Sequence, residues 1–160
     1  MLEIHIIPKE EFDRIWAAPA PQSHRLTLIA DMCRANALST VKKAGSGHLG
    51  SSLSSLDIVT MLYYVGMNTV RLGMNHPDRD IYFSSKGHDV PGHYAVLYSL
   101  GIVPRDRFVN LRRFGGTHGH PDLNVPGIEA NSGSLGMGIS KAIGMAWAKK
   151  HLGQGGRVLV

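Results

Sequence analysis

The sequence has little cysteine and no long hydrophobic run. The single cysteine, Cys33, cannot form a disulfide within the chain, which excludes the disulfide-stapled class of small secreted domains and favours a reducing compartment, by default the cytoplasm. No segment approaches the ~18 consecutive apolar residues that a membrane helix needs. Residues 1–7 lack a basic region followed by an apolar stretch, so we expect neither a membrane span nor a secretory signal.

The chain also has no cluster of positive charge, although its formal net charge is +5. The basic residues fall in isolated pairs such as Lys42-Lys43 and Arg112-Arg113, without interleaved aromatic residues. Such pairs are typical of solvated helix faces, so we expect no nucleic-acid partner. A length of 160 residues suits one domain with a substantial core.

The first half of the chain predicts two amphipathic helices joined by a glycine-rich loop. Apolar residues recur at helical spacing from about Ser23 to Lys43, and residues 44–50 then form a loop with three glycines. Ser54 and Asp57 resemble a capping box, which predicts that the second helix begins at Ser54 or Ser55.

The second half predicts strands alternating with helices. Residues 81–84 are apolar and β-prone, so they predict a buried strand that delivers His88 at its carboxyl end. Pro91 suits the first turn of a helix through Leu100 with Gly101 as its cap, and we expect a short helix after Pro104 that carries Phe108 and Leu111. Further on we expect an irregular segment over 115–138, a helix over 138–152 and the opening of a strand over 157–160.

This order predicts an α/β fold with a mainly parallel sheet flanked by helices. We divide the chain into an N-terminal extension, residues 1–22, and a folded domain over residues 23–160, which the glycine turn and the resemblance described below make a diphosphate-binding domain. A strand that opens at residue 157 needs neighbours, so we expect the domain to be truncated and a parent chain to continue past Val160. In parallel sheets, ligands bind at the carboxyl ends of the strands.

Four histidines in glycine-flanked loops fall at that end of the sheet. Imidazole titrates near neutrality and glycine lets a ligand approach, so these loops are candidates for binding phosphate or substrate oxygen. The glycine turn over 133–138 precedes a helix, where free N–H groups and the helix dipole would favour an anion such as a diphosphate. The four histidines are His48, His88, His118 and His120.

A competing reaction class is a zinc hydrolase. His118, His120 and Asp122 fit the H-x-H-x-D pattern of metallo-β-lactamase-like enzymes, in which zinc activates a water molecule. Leu123 stands where that family usually has another histidine, and the surrounding chain is rich in helix rather than β-sandwich patterns.

Four motifs, taken in order, resemble the N-terminal region of transketolases. Their order and spacing over residues 26–160 are more specific than any one of them. The third and fourth most resemble transketolases that are split into N- and C-terminal subunits. The motifs are Gly45-Ser46-Gly47-His48-Leu49-Gly50, Asp80 to His88, Gly119-His120-Pro121-Asp122 and Gly133-Ser134-Leu135-Gly136-Met137-Gly138.

The resemblance implies thiamine diphosphate and a divalent ion, usually Mg²⁺, as cofactors. The reaction would move a two-carbon ketol unit between sugar phosphates. His88 would contact the cofactor diphosphate, and His48 and His120 would act on substrate oxygens as the catalytic pair. Gly133, Ser134 and Leu135 would line the aminopyrimidine. His118 has no assigned role, because the family motif centres on His120.

The resemblance also implies partners that this chain lacks. The family's Gly-Asp-Gly segment and a later asparagine hold the metal, and both would follow residue 160, so no metal ligand is assigned within the chain. The activating glutamate lies on a pyrimidine-binding domain or C-terminal subunit. We therefore expect a homo- or hetero-oligomer, commonly a dimer, and no activity from this chain alone. The alternatives are another thiamine-diphosphate enzyme, such as a 1-deoxyxylulose-5-phosphate synthase, and a non-catalytic partner subunit.

Overall fold

The computed structural model describes residues 4–160, in which helices surround a small parallel sheet. Residues 1–3, which belong to the predicted N-terminal extension and to the segment expected to lack a secretory signal, lie outside this range. The elements in chain order are α1 (Lys9–Ala17), α2 (Gln22–Ala44), α3 (Leu49–Met61), α4 (Thr69–Leu72), β1 (Ile81–Tyr82), α5 (Val90–Ser99), α6 (Arg105–Phe108), α7 (Met137–His151) and β2 (Val158–Leu159).

The two strands pair in parallel, as predicted, with Ile81 opposite Val158. Asp80 fixes this register from the residue before β1. One carboxylate oxygen of Asp80 accepts the backbone N–H of Arg157 at 2.6 Å, and the other accepts the backbone N–H of Asn68 at 3.1 Å. Because both strands begin beside this carboxylate, their carboxyl ends lie together at the opposite edge.

The core lies among α2, α3 and α5, which pack against one another. Every residue of α5 is buried, so this helix has no solvent face. Its near-continuous apolar character follows from that position rather than from amphipathic periodicity. Burial on all sides fixes the position of the amino end of α5. The turn that carries His88 runs directly into this end and is therefore fixed as well.

Helix α1 belongs to the segment predicted as an extension. Phe12 is fully buried in the main core, and its ring meets the Tyr98 ring edge-on with centroids 6.5 Å apart. The Asn36 side chain accepts the Ile7 N–H at 2.8 Å and donates to the Ile7 carbonyl at 3.0 Å. These contacts attach residues 4–17 to the helical core, while the division at residue 22 stays a prediction.

The predicted start of α3 was wrong. The helix begins at Leu49, well before the predicted capping box, and Asp57 pairs with Arg34 of α2 instead of capping. Packing explains the earlier start, because Gly92 of α5 admits the Ser52 backbone so closely that an added Cβ would lie 2.8 Å from the Ser52 carbonyl oxygen. After Met61 the chain continues as one π-helical turn over Leu62–Gly66.

The other predicted helices are confirmed to within a residue or two at most ends. Helix α2 ends at Gly45, whose φ of 73° is left-handed, and Pro91 lies in the first turn of α5. Helix α6 follows Pro104, as predicted, but it ends at Phe108, so Leu111 lies beyond it. The segment from Gly115 to Gly136 is irregular, as predicted.

The structure also bears on the lack of long apolar runs and on the single cysteine. Among residues 4–160, no helix combines the length and apolarity needed to cross a membrane. Cys33 is a free, buried thiol whose pKa burial raises to about 12, so it lacks the thiolate character of a reactive cysteine.

Candidate functional site

Two of the predicted histidines lie side by side. His48 is the residue before α3, and His88 is the middle residue of a tight 3₁₀ turn, Gly87–Asp89, between β1 and α5. Their ring centroids are 5.2 Å apart, with 56° between the ring planes. His48 is exposed and His88 is half-buried. Two imidazoles at this spacing can contact one small ligand from two sides.

Close backbone packing joins the His88 turn to the glycine turn before α7. A Cβ on Gly87 would fall 2.9 Å from the Gly133 Cα and well inside contact distance of the Ser132 carbonyl oxygen. The Ser132 hydroxyl donates to the Ser84 carbonyl at 3.0 Å, which ties the two segments together. Glycine at position 87 is therefore required for this approach.

His120 lies against the same glycine turn from another side. A Cβ on Gly133 would contact the His120 ring carbon Cδ2 at 3.6 Å. The Tyr94 hydroxyl of α5 donates to the His120 carbonyl at 3.3 Å, which anchors the irregular loop to the core. Thus His120 and the turn that carries His88 both pack against Gly133, and His48 lies beside His88.

The glycine turn differs in detail from expectation. The backbone N–H groups of Met137 and Ile139 donate within the turn, to the carbonyls of Ser134 and Gly136. The Gly138 N–H donates to the Ser85 hydroxyl at 3.0 Å, and a Cβ at Gly138 would lie 2.7 Å from the Ser85 Cα. These three amides have partners in the fold, so they are not the free donors that were predicted for an anion. Gly138 serves close packing.

A groove of about 890 Å³ runs from α3 across the carboxyl ends of the strands to the start of α7. Its polar end includes Ser84, Lys86 and Asp89, which flank His88 in the sequence, while Ile58 and Leu135 are among its apolar walls. Leu135 is 71% exposed, so its side chain is available to a ligand. The groove therefore offers one polar end and one apolar end.

Two buried polar atoms close in sequence to the His48–His88 pair have no hydrogen-bond partner in the described part of the chain. They are the Ser51 hydroxyl, in the first turn of α3, and the Asp89 carboxylate oxygen Oδ1, beside His88. Unsatisfied buried polar groups are rare and require an explanation. Sequence reasoning missed both residues, since only the packed structure reveals which polar atoms lack partners.

The remaining histidines have other surroundings. His118 is exposed, and within residues 4–160 no group of three or more His, Cys, Asp or Glu side chains is arranged to hold a metal ion. The zinc pattern of His118, His120 and Asp122 is thus not assembled as a ligand set. His93, which had no assigned role, is buried, and its Nε2 is 2.9 Å from the Tyr63 hydroxyl. Burial lowers the pKa of His93 to about 4.

Comparison with known proteins agrees with the family resemblance and with the fold. The family described as "Transketolase, thiamine diphosphate binding domain" matches residues 26–155. One of the subunits of an apulose-4-phosphate transketolase from Phocaeicola vulgatus is 38% identical over 130 residues, which cover 81% of this chain and 46% of that protein. The corresponding protein from Actinobacillus succinogenes is 37% identical over 116 residues, which cover 71% of this chain and 42% of that protein.

A solved structure confirms the fold class. A transketolase from Leishmania mexicana superposes with a TM-score of 0.71 at 30% identity, over 79% of this chain and 19% of that one. Fold, motifs and comparisons define a thiamine-diphosphate-binding domain. The chain belongs to the transketolase family, and it spans less than half the length of the two apulose-4-phosphate transketolase relatives.

Proposed function

We propose that this chain supplies the diphosphate-binding part of a transketolase that moves a two-carbon ketol unit between sugar phosphates. The observation that carries the proposal is that His48 lies beside His88, while His120 and the turn that carries His88 both pack against Gly133. A degenerate, non-catalytic subunit would have no reason to keep three polar side chains from three loops at one place. The cytoplasmic location stays a prediction.

The residues present fit thiamine diphosphate. A diphosphate accepts hydrogen bonds, and the unpartnered Ser51 hydroxyl and the His88 imidazole can both donate them. Lys86 adds a positive charge at the polar end of the groove. The aromatic rings of the cofactor are largely apolar, which suits the exposed Leu135 side chain and the open space beside Gly136.

In this proposal each residue has one task. The bound cofactor supplies the centre that accepts the ketol carbons and stabilises the charge that develops there. His88 and Ser51 bind the diphosphate, and Gly133, Ser134 and Leu135 line the aminopyrimidine. His48 and His120 donate to substrate hydroxyls and to the oxygen that gains negative charge as the carbon–carbon bond breaks. We assign no Mg²⁺ ligand within residues 4–160.

Catalysis in this proposal needs a second component that carries a pyrimidine-binding domain. The names of the two apulose-4-phosphate transketolase relatives support a partner chain, since each is called one subunit of a transketolase. A stripe on α7 supports it as well. Ile139, Ile143 and Trp147 recur every four residues and are 58%, 65% and 66% exposed. Exposed apolar stripes of this kind mark protein interfaces.

The direct test compares the chain alone with the chain plus a C-terminal transketolase subunit. We expect weak binding of thiamine diphosphate with Mg²⁺ by the purified chain, measured by calorimetry, and no ketol transfer. Addition of the partner should produce transfer from a ketose phosphate to an aldose phosphate, with His120→Ala as an inactive control. Ketol transfer by the chain alone would contradict the need for a partner, and failure to bind the cofactor in either state would contradict the proposed function.

A further inference from the structure

Asp89 is a buried acid next to the proposed diphosphate site, and one of its carboxyl oxygens has no partner among residues 4–160. It is 3% exposed, it ends the 3₁₀ turn that carries His88, and it lines the polar end of the groove with Lys86. Its backbone carbonyl accepts the Ser52 hydroxyl of α3 at 3.1 Å. The residue is therefore held firmly in place by its main chain.

Only one of the two carboxyl oxygens of Asp89 has a hydrogen-bond partner among residues 4–160. Oδ2 accepts the Ser84 hydroxyl at 2.7 Å, whereas Oδ1 is buried without a partner among residues 4–160. Asp89 precedes α5 but does not cap it, and it forms no ion pair in the described part of the chain. Burial with one unpartnered oxygen penalises the ionised form of this carboxyl group.

The groups around Asp89 are few. From its own turn come Lys86 and His88, and β1 contributes the buried Tyr82 hydroxyl. Helix α3 contributes the neutral Ser52, with His48 beyond His88, and the start of α7 contributes only the uncharged Leu135 and Gly136. Burial raises the pKa of Asp89, while the Ser84 hydrogen bond and the charges of Lys86 and His88 oppose that rise.

An anion bound by His88 would add negative charge beside this acid. Like charges at close range in a partly buried site repel, so the anion and the ionised carboxylate exclude each other. We propose that Asp89 takes up one proton from solvent when a diphosphate binds beside His88, so that the site binds anions more tightly at low pH than at high pH. This inference rests on the proposed function, and it assigns Asp89 as a residue that tunes cofactor affinity.

The test is calorimetric titration of the full chain with inorganic pyrophosphate and with thiamine diphosphate, each at pH 6 and pH 8. Two buffers of different ionisation enthalpy give the number of protons taken up on binding. Asp89→Asn keeps the shape of the side chain but cannot ionise, and Asp13→Asn, an exposed acid of α1, is the matched control. The ligands themselves also take up protons, so the informative quantity is the difference in proton uptake between each variant and wild type.

We expect wild type and Asp13→Asn to take up more protons than Asp89→Asn. At pH 8 the Asp89→Asn variant should bind pyrophosphate on the order of tenfold more tightly than wild type, because one repelling charge is gone. At pH 6 the two affinities should be closer. Equal proton uptake by Asp89→Asn and wild type, or weaker binding by the variant at pH 8, overturns the inference.

A second variant covers the case in which Asp89→Asn does not fold. Ser84→Ala keeps the carboxyl group and removes its one hydrogen-bond donor, so the pH at which pyrophosphate affinity falls should move upward. An unchanged pH profile in Ser84→Ala overturns the inference while leaving the proposed function intact. If neither pyrophosphate nor thiamine diphosphate binds to wild type or to any variant, with or without the C-terminal subunit, the proposed function itself fails, and this inference fails with it.

Discussion

The imidazoles of His48 and His88 lie 5.2 Å apart across the junction of two loops, one before α3 and the other after β1. The two histidines are far apart in the sequence, so they meet only because α3 packs on the turn and helix that follow β1. The distance makes both residues available to one ligand, and it permits their roles to be separated by substitution.

For this pair we predict different effects on binding and turnover. His88→Ala should weaken thiamine diphosphate binding by roughly tenfold or more, because it removes a direct donor to a charged ligand. His48→Ala should bind the cofactor almost normally but reduce ketol transfer in the presence of a partner. Calorimetry and a coupled assay measure the two effects, with the exposed His24→Ala as control. Equal cofactor affinity in His88→Ala and His24→Ala would contradict the assignment.

The second prediction concerns Gly87, which lets the His88 turn approach the glycine turn before α7. Gly87→Ala places a methyl group 2.9 Å from the Gly133 Cα, so the two backbones must separate. We expect a loss of about 2–4 kcal/mol in the free energy of unfolding. Gly144→Ala, on α7 with open space around its Cβ, should instead gain about 0.5–1 kcal/mol. Denaturant melts measure both, and similar values for the two variants would exclude the packing argument.

The buried His93–Tyr63 pair predicts a loss of stability on mild acidification. Burial depresses the pKa of His93 to about 4, below the ordinary value of 6.5, so the folded state keeps this imidazole neutral while the unfolded state takes up a proton. Stability should therefore fall by up to about 3 kcal/mol as the pH drops from 6.5 to 4. His93→Gln should be less stable at pH 7 but lack this fall. A full acid-dependent fall in His93→Gln would assign the effect to other groups.

Asp80 should affect the stability of the fold in a lower pH range than His93 does. The side-chain hydrogen bond from Arg157, helped by the N–H groups of Arg157 and Asn68, lowers the pKa of Asp80 from 3.8 to about 2. Its contribution is present above pH 4 and is lost as the pH falls towards 2, because the folded state resists protonation more than the unfolded state does. Asp80→Asn should lose about 2 kcal/mol at pH 7. Asp31→Asn, an exposed acid of α2, is the control in melts at pH 7 and pH 3.

Local patterns predicted most helices and the parallel strands, but they failed where packing decided the outcome. Ser54 and Asp57 have the chemistry of a capping box, yet α3 begins at Leu49 because Gly92 of α5 admits its first turn. Helix α1 escaped prediction, although Phe12 is fully buried. Its apolar residues Phe12, Ile15 and Trp16 recur at helical spacing over a short stretch only, and their packing depends on residues distant in the chain, such as Tyr98 and Tyr64.

The sequence by itself determined the family and the candidate site residues, because glycine and histidine in ordered motifs have few local alternatives. Residues 133–135, His48, His88 and His120 could all be selected from the order of the motifs alone. Only the tertiary structure decided which of them meet, since the 5.2 Å contact between His48 and His88 depends on packing between elements far apart in the chain. It alone also exposed the unpaired oxygens of Ser51 and Asp89, because whether a polar atom is satisfied depends on every group that folding brings around it.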